Sequence, residues 1–317
     1  MSQLSALGVA DADLTPRLKF VNILPSVLLI AAVVSLILGG APAHAPSLDR
    51  LLNARSYGWA GAALASVGAL VAGLLLQPLE LASIRFLEGY VSPTGPLGPL
   101  ARMRTWVHAN RRSRLTWQKD HLRDEPHVET AELGLTLMPH KAPVLPTTLG
   151  NRLRAAEERA GRPYGFDALL VWPRLYHVLP QDVLQTLSES RNQLDTAARL
   201  SLSFGLTSAV TTGLLVTHPW WLTLPAALAC LSWFAYRSAV HAATTYGVTV
   251  AAVIDVYRLR LLQEMHLGIP DDTAKERELN GDLKAYWSRS DGEPLPRPVK
   301  YDTGGTTTGG QAGSGGP

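Results

Sequence analysis

Hydrophobic positions gather along this chain into uncharged runs, and the runs are separated by stretches dense in arginine. From Leu200 to Tyr236 no Asp, Glu, Lys or Arg interrupts the sequence, which is bounded by Arg199 and Arg237. As one straight helix this run would measure roughly 55 Å, whereas the hydrocarbon core of a bilayer is about 30 Å thick. Its middle reads "THPWW". Proline pushes the preceding residue, His218, out of helical geometry, and Trp220 and Trp221 belong to the aromatic type that collects at headgroup level. The pattern predicts a hairpin, with one crossing over residues 199–217, a tight turn, and a return over 220–237. A buried hairpin inside a large soluble bundle is the competing reading, and the uncharged length argues against it.

A second hairpin precedes this one. "FVNILPSVLLIAAVVSLILGG" (Phe20–Gly40) is uncharged and long enough to cross. The "APAHA" after it resembles a signal-peptide cleavage site. The apolar run is too long for a typical signal peptide, however, and a further span follows within twenty residues. That span, "YGWAGAALASVGALVAGLLLQPLEL" (Tyr57–Leu81), is uncharged from Tyr57 to Gln77. The expected fold class is an all-α integral membrane protein with four transmembrane helices in two hairpins. A mainly helical cytoplasmic region lies between the hairpins, and a long helical extension follows span four. The expected boundaries are 1–19 for a cytoplasmic N-terminal segment, 20–81 for the first hairpin and 82–198 for the cytoplasmic region. The second hairpin takes 199–238, the extension 239–293 and a disordered tail 294–317.

Orientation follows from where Lys and Arg cluster near the membrane ends. Residues 81–120 hold Arg85, Arg102, Arg104, Arg111, Arg112, Arg114 and Lys119 against Glu88 and Asp120, while the "THPWW" turn has no cation. Arg50 and Arg55 in the first outer loop match Arg17 and Lys19 in number and weaken the asymmetry, but the basic central flank outweighs them. Both termini and the central block are therefore expected in the cytoplasm. Arginine outnumbers lysine, and Ala and Leu are abundant, which points to a GC-rich bacterial genome and a plasma membrane.

Within the central block, "SPTGPLGPL" breaks the helix that leaves span two. "ARMRTWVHANRRSRLTWQKDHL" then alternates arginines with Met103, Trp106, Val107 and Trp117, which suits either the membrane surface or a place on the bundle. "ELGLTLM" reads as a brief strand, "TLGNRLRAAEERAG" as a polar helix stopped at Gly161, and "YGFDALLVWPRLYHVLPQD" as an elbow around two prolines. Arg191, Asp195 and Arg199 follow one another at i, i+4 spacing and can pair along one helix face. Beyond Arg237, Val240, Gly247, Ile254 and Leu261 interleave with Ala243, Val250 and Tyr257 in a heptad pattern. Span four is thus expected to continue as a long helix packed against the extensions of spans two and three. "DTGGTTTGGQAGSGGP" has the composition of a disordered tail.

Charged residues make up 17% of the chain, against about a quarter in soluble domains, which favours the membrane reading. The net charge of +3 comes largely from the membrane-proximal arginines, whose expected partner is the anionic headgroup rather than nucleic acid. The single Cys230 excludes an internal disulfide. His121 and His127 lie among Asp120, Asp124, Glu125 and Glu129, but no metal-ligand spacing such as H-E-x-x-H occurs. Nucleotide, dinucleotide and nucleophile-elbow motifs are likewise missing. None of the four spans has an ionisable Asp, Glu, Lys or Arg in its interior, which argues against proton-coupled transport and acid–base catalysis at membrane depth. The expectation is therefore no catalytic site, no metal and no cofactor.

Two patterns inside the spans stand out. Gly61, Ala65, Ala69 and Gly73 place a small residue at every fourth position of span two, the spacing of a close helix-packing face. Ser203, Thr207 and Thr211 share one face of span three. Their hydroxyls bond either to helix carbonyls or, as a pore lining, to water. In plan the two hairpins, cytoplasmic middle and helical extension resemble those of bestrophin-type channels, with no motif matching residue by residue. The leading expectation is an assembly, scaffold or regulatory membrane component docking a second copy of itself or a cytoplasmic protein. The alternative is an oligomeric channel or membrane-perturbing effector lined by span three.

Overall fold

The computed structural model describes residues 31–47, 49, 79–90, 92, 94–290 and 296–301. Among the described residues the regular structure is helical, and one isolated antiparallel bridge, Leu267 to Tyr301, is its sole strand-like pairing. Residues 31–38 are helical. Then come α1 (Leu79–Glu88), α2 (Gly98–His121), α3 (Glu125–Thr136), α4 (Thr148–Arg159), α5 (Ala168–Leu175), α6 (Gln181–Leu215), α7 (Thr223–Glu264) and α8 (Thr273–Trp287). Proline in the first turn starts α2 and α3, where its missing N–H would have no intrahelical partner. Side-chain oxygens cap three of the others: Thr147 accepts from Gly150 N, Asp167 from Leu169 N, and Asp272 from Ala274 N and Lys275 N.

Two long helices organise the rest. α6 and α7 are joined by the short 3-10 turn Pro219–Leu222 and lie antiparallel along their length. α7 changes character midway. Between Thr223 and Arg237 it buries only Pro225 and leaves Leu224, Leu231, Trp233 and Phe234 exposed. From Ala239 onward one face disappears into the protein, including Val240, Ala243, Gly247, Val250, Ile254 and Leu261. These are the predicted heptad positions, and Tyr257 packs partly buried beside them.

The inner half of α7 forms the core with Leu149 and Leu153 of α4, Val171, Trp172 and Leu175 of α5, and Leu187 and Leu194 of α6. Full burial of each Leu is worth about 2 kcal/mol, so this inner half carries most of the packing. At the opposite end Leu36 and Ala41 pack with Leu214, Leu215 and Leu222. The end of the first apolar run therefore sits beside the turn of the second hairpin.

Several expectations change. "ELGLTLM" lies in and just beyond α3 and is not a strand, because Pro126 starts a helix whose Gly134 packs under Leu115 of α2. The extension after Arg237 packs on α6, α4 and α5, while α1 packs on α6 and α4. It is two helices, since the chain turns back after Glu264 and returns as α8. Within the expected tail 294–317, Val299 packs on the core, Arg297 pairs with Glu278 at 3.5 Å, and Tyr301 bridges to Leu267. Segment 1–19, most of the first hairpin and the Gly/Thr-rich end lie outside the described residues.

One contact sets how closely α4 approaches the end of α1. A Cβ on Gly150 would collide with the carbonyl oxygen of Glu88 and with Leu145 Cδ1. Alanine in a helix ordinarily gains about 1 kcal/mol over glycine. Gly150→Ala is expected to lose at least 2 kcal/mol instead, through overpacking against backbone, as measured by thermal or denaturant unfolding in detergent.

Candidate functional site

The hydroxyl-rich face of α6 is a helix-to-helix clasp. Ser201 Oγ donates to the Ser232 carbonyl at 3.1 Å, and Ser232 Oγ donates back to the Ser201 carbonyl at 2.7 Å. A turn away, Gly205 brings its backbone under Ser232, where a Cβ would stand 3.1 Å from Oγ. Ser208 Oγ then reaches the Pro225 carbonyl at 2.8 Å. These serine hydroxyls find their hydrogen-bond partners on the facing helix.

The candidate pore residues behave differently. Thr207 and Thr211 are buried; Thr207 donates to Ser203 O at 2.6 Å and Thr211 to Thr207 O at 2.7 Å. Ser203 is half-buried on the same helix. In the single chain the threonine hydroxyls are satisfied by their own helix. The stripe of Gly61, Ala65, Ala69 and Gly73 lies outside the described residues.

Below the uncharged run lies a buried ionic cluster. Arg191 Nε pairs with Asp195 at 3.0 Å, and its guanidinium stands 5.8 Å from the Tyr246 ring centre on α7. Glu88, at the end of α1, is 1% exposed and contributes its negative charge to the same cluster. Burial works against the Arg191 charge, but Asp195 and Tyr246 overcome it and hold its pKa above the ordinary value. Burial pushes the Tyr246 hydroxyl up, partly offset by Arg191. The cluster ties α1, α6 and α7 where the bundle meets the uncharged segment. Tyr236 adds a strut there, its hydroxyl accepting from Leu149 N at the start of α4.

On the other side of α4 a cavity of about 670 Å³ opens between α4, α7, the 3-10 turn Arg162–Tyr164 and α8. Four arginines line it, Arg152, Arg159, Arg162 and Arg277, with Asp255 as the one carboxylate. Its floor is hollow because small residues meet there: a Cβ on Gly247 would come within 2.5 Å of Ala156 Cβ. The turn that carries Arg162 is clamped from three sides. Arg277 Nε donates to Pro163 O at 2.7 Å, Asn280 donates to Tyr164 O at 2.7 Å, and the Arg258 guanidinium stacks 3.7 Å from the Tyr164 ring centre while pairing with Glu276 at 2.8 Å.

Sequence reading missed this cavity because its arginines sit in separate segments, 152 to 162 and 277, with no common motif. The "RLRAAEERAGR" spacing put Arg152, Arg159 and Arg162 near one another, and only the return of α8 brings Arg277 to them. The histidine-rich loop does not converge. His121 stacks on Trp117 at 5.1 Å and His127 pairs with Asp124 at 3.3 Å. Among the described residues no three His, Cys, Asp or Glu side chains are placed to share a metal ion. His108 is buried elsewhere, its pKa lowered by burial and by Arg104 and Arg111.

No protein-family model, no curated protein and no solved structure matches the chain.

The clasp and the back-bonded threonines separate in a stability assay. Ser201→Ala combined with Ser232→Ala is expected to lower unfolding free energy in bilayer-like detergent by about 1 kcal/mol, the scale of interhelical hydrogen bonds in lipid. Thr207→Val and Thr211→Val, which remove bonds within one helix, are expected to change it by less than half of that. Steric-trap or SDS unfolding of the variants reads the difference, and the reverse order would contradict the assignment.

Proposed function

We propose that this chain is a multi-pass membrane protein without catalytic activity, in which two membrane hairpins hold a cytoplasmic helical bundle that serves assembly or regulation. One observation supports it above the others. The outer half of α7 leaves apolar side chains uncovered on nearly every side, with Phe234 58% and Trp233 54% exposed, and Trp220 in the turn before it is 89% exposed. A helix of a soluble core covers such residues, and exposed apolar area of this extent marks a surface that meets lipid or protein. Pro219–Glu264 is the helix, among the described residues, that is long and apolar enough to cross a bilayer. The uncharged part of α6, Leu200–Leu215, measures about 24 Å and reaches the hydrocarbon thickness only with the turn that follows.

The four-crossing arrangement rests on the pairing of that hairpin with the first apolar run, whose end packs at the same turn through Leu36, Leu215 and Leu222. The basic flank supports cytoplasmic termini, and the Arg-, Ala- and Leu-rich composition supports a bacterial plasma membrane. α2 fits the role of a helix resting on anionic headgroups. Leu100, Met103, Trp106, Val107 and Trp117 are exposed along the side away from α3, with Arg104, Arg111 and Arg114 beside them. The small-residue stripe of span two is the proposed packing face for its neighbours or for a second copy. The channel reading gains no supporting observation from Thr207 and Thr211, whose hydroxyls are turned to their own helix.

Single cysteines introduced in a Cys230→Ser background test the topology in intact cells. His44→Cys and Thr217→Cys are expected to react with a membrane-impermeant maleimide from outside. Thr116→Cys and Gln263→Cys are expected to react only after permeabilisation. External labelling at Gln263→Cys would replace four crossings by five.

A further inference from the structure

The arginine-lined cavity carries a feature that an anchoring bundle does not require. Four arginines line a volume walled by α4, α7 and α8 with a single carboxylate, Asp255, among the lining residues. Structural arginines are normally spent on carboxylates, as Arg258 is on Glu276 in the same neighbourhood. Here they are not. Arg159 donates one N–H to Thr136 O at 3.1 Å and Arg277 donates Nε–H to Pro163 O at 2.7 Å. These bonds to backbone fix the direction of each guanidinium while leaving most of its five donors unused. The side chains of Arg152 and Arg162 make no hydrogen bond or ion pair with the described residues. Arg152 is half-buried, and its pKa is lowered by burial and by the neighbouring Arg111, so it stands in a field of like charge with nothing to neutralise it.

Arginines gathered around one cavity and not paired with carboxylates are suited to recognise phosphate, because the planar fork matches two of its oxygens at once. The floor is of another kind. Ala156, Gly247, Val248 and Ala251 present an apolar surface free of large side chains, on which a flat or aliphatic body can lie. The volume of about 670 Å³ falls in the range of small-molecule sites. We propose that this cavity binds a small phosphate-bearing molecule, with the phosphate held by Arg152, Arg159, Arg162 and Arg277 and the remainder of the ligand resting on α7. The ligand would link α4, α7 and α8, and so couple an anionic metabolite or headgroup to the junction below the membrane helices. The proposal does not depend on the number of crossings.

Purified full-length protein in neutral phosphatidylcholine nanodiscs provides the test. Calorimetric titration is expected to show binding of ATP and of inorganic pyrophosphate, weakened by added salt, and none of adenosine. Arg162→Gln changes an exposed residue and is expected to keep the unliganded melting temperature. It is expected to weaken ATP binding about tenfold, the loss of one charge-assisted bidentate contact. Arg152→Gln is expected to do the same, whereas Arg102→Gln, on α2 and outside the cavity, is expected to leave it unchanged. In a second arm the nanodiscs contain phosphatidic acid, and the thermal stabilisation of wild type is compared with that of Arg162→Gln. Stabilisation lost in the variant assigns a lipid headgroup as the ligand, and soluble binding alone assigns a free phosphate compound; either supports the site. Failure of ATP, pyrophosphate and phosphatidic acid all to bind at millimolar concentration would overturn it. Binding that both arginine variants retain at wild-type strength, or equal binding of adenosine, would do so as well.

Discussion

The antiparallel contact between α6 and α7 is the constraint on which the remaining structure depends. Its register is fixed by paired polar contacts: Ser201 with Ser232, Ser208 with Pro225, and Arg191 against Tyr246 further down. The physical reason for the contact changes along its length. In the proposed membrane placement, lipid competes on equal terms with any leucine along the uncharged half, so only close approach and mutual hydrogen bonds favour helix over lipid. Gly205 permits the approach and the serines supply the bonds. In the charged half, burial of Leu187, Leu194, Ala243, Val250 and Ile254 drives association. On that reading one pair of helices is held by two different forces, and Arg199 and Arg237 mark where one hands over to the other.

Around that pair the smaller helices are placed by close contacts rather than by bulk. Gly150 lets α4 meet the end of α1, and Gly247 lets it cross α7 at Ala156. The second crossing leaves space beside it, which α8 closes from the other side by holding the Arg162–Tyr164 turn. The cavity is thus a product of small residues at a helix crossing together with arginines supplied from separate segments. A bundle filled by leucine at these positions would have neither the gap nor the charge.

Much of the helical framework could be read from residue patterns. The charge-free run with "THPWW" in its middle located the hairpin turn, since Pro219 starts the short 3-10 segment. The heptad positions after Arg237 fall on the buried face of α7 because a 3.5-residue period describes one continuous helix seam. Local patterns failed where tertiary context decided. "ELGLTLM" alternates like a strand, yet no neighbouring strand exists among the described residues to pair with it, and Leu115 accepts Gly134 of a helix instead. The end of the extension was illegible because α8 is held by Arg258, Asn280 and the 162–164 turn, none of which is close to it in sequence. The hydroxyls of α6 looked alike in sequence. Their division into cross-helix serines and back-bonded threonines depends on which residues face α7, and the period alone left that open.

The central claim is that α7 passes from lipid into water without interruption near Arg237. Nitroxide labels placed singly at exposed positions along α7 in a reconstituted bilayer measure this directly through their collision rates with oxygen and with a polar nickel chelate. Oxygen concentrates in hydrocarbon and the chelate in water. The account predicts that oxygen is the stronger relaxer at Leu224, Leu231 and Phe234, and that the chelate is the stronger at His241, Thr245 and Val248, with the crossover near Arg237. Dominance of the chelate at Leu231 and Phe234 would place the whole helix in water and contradict the account.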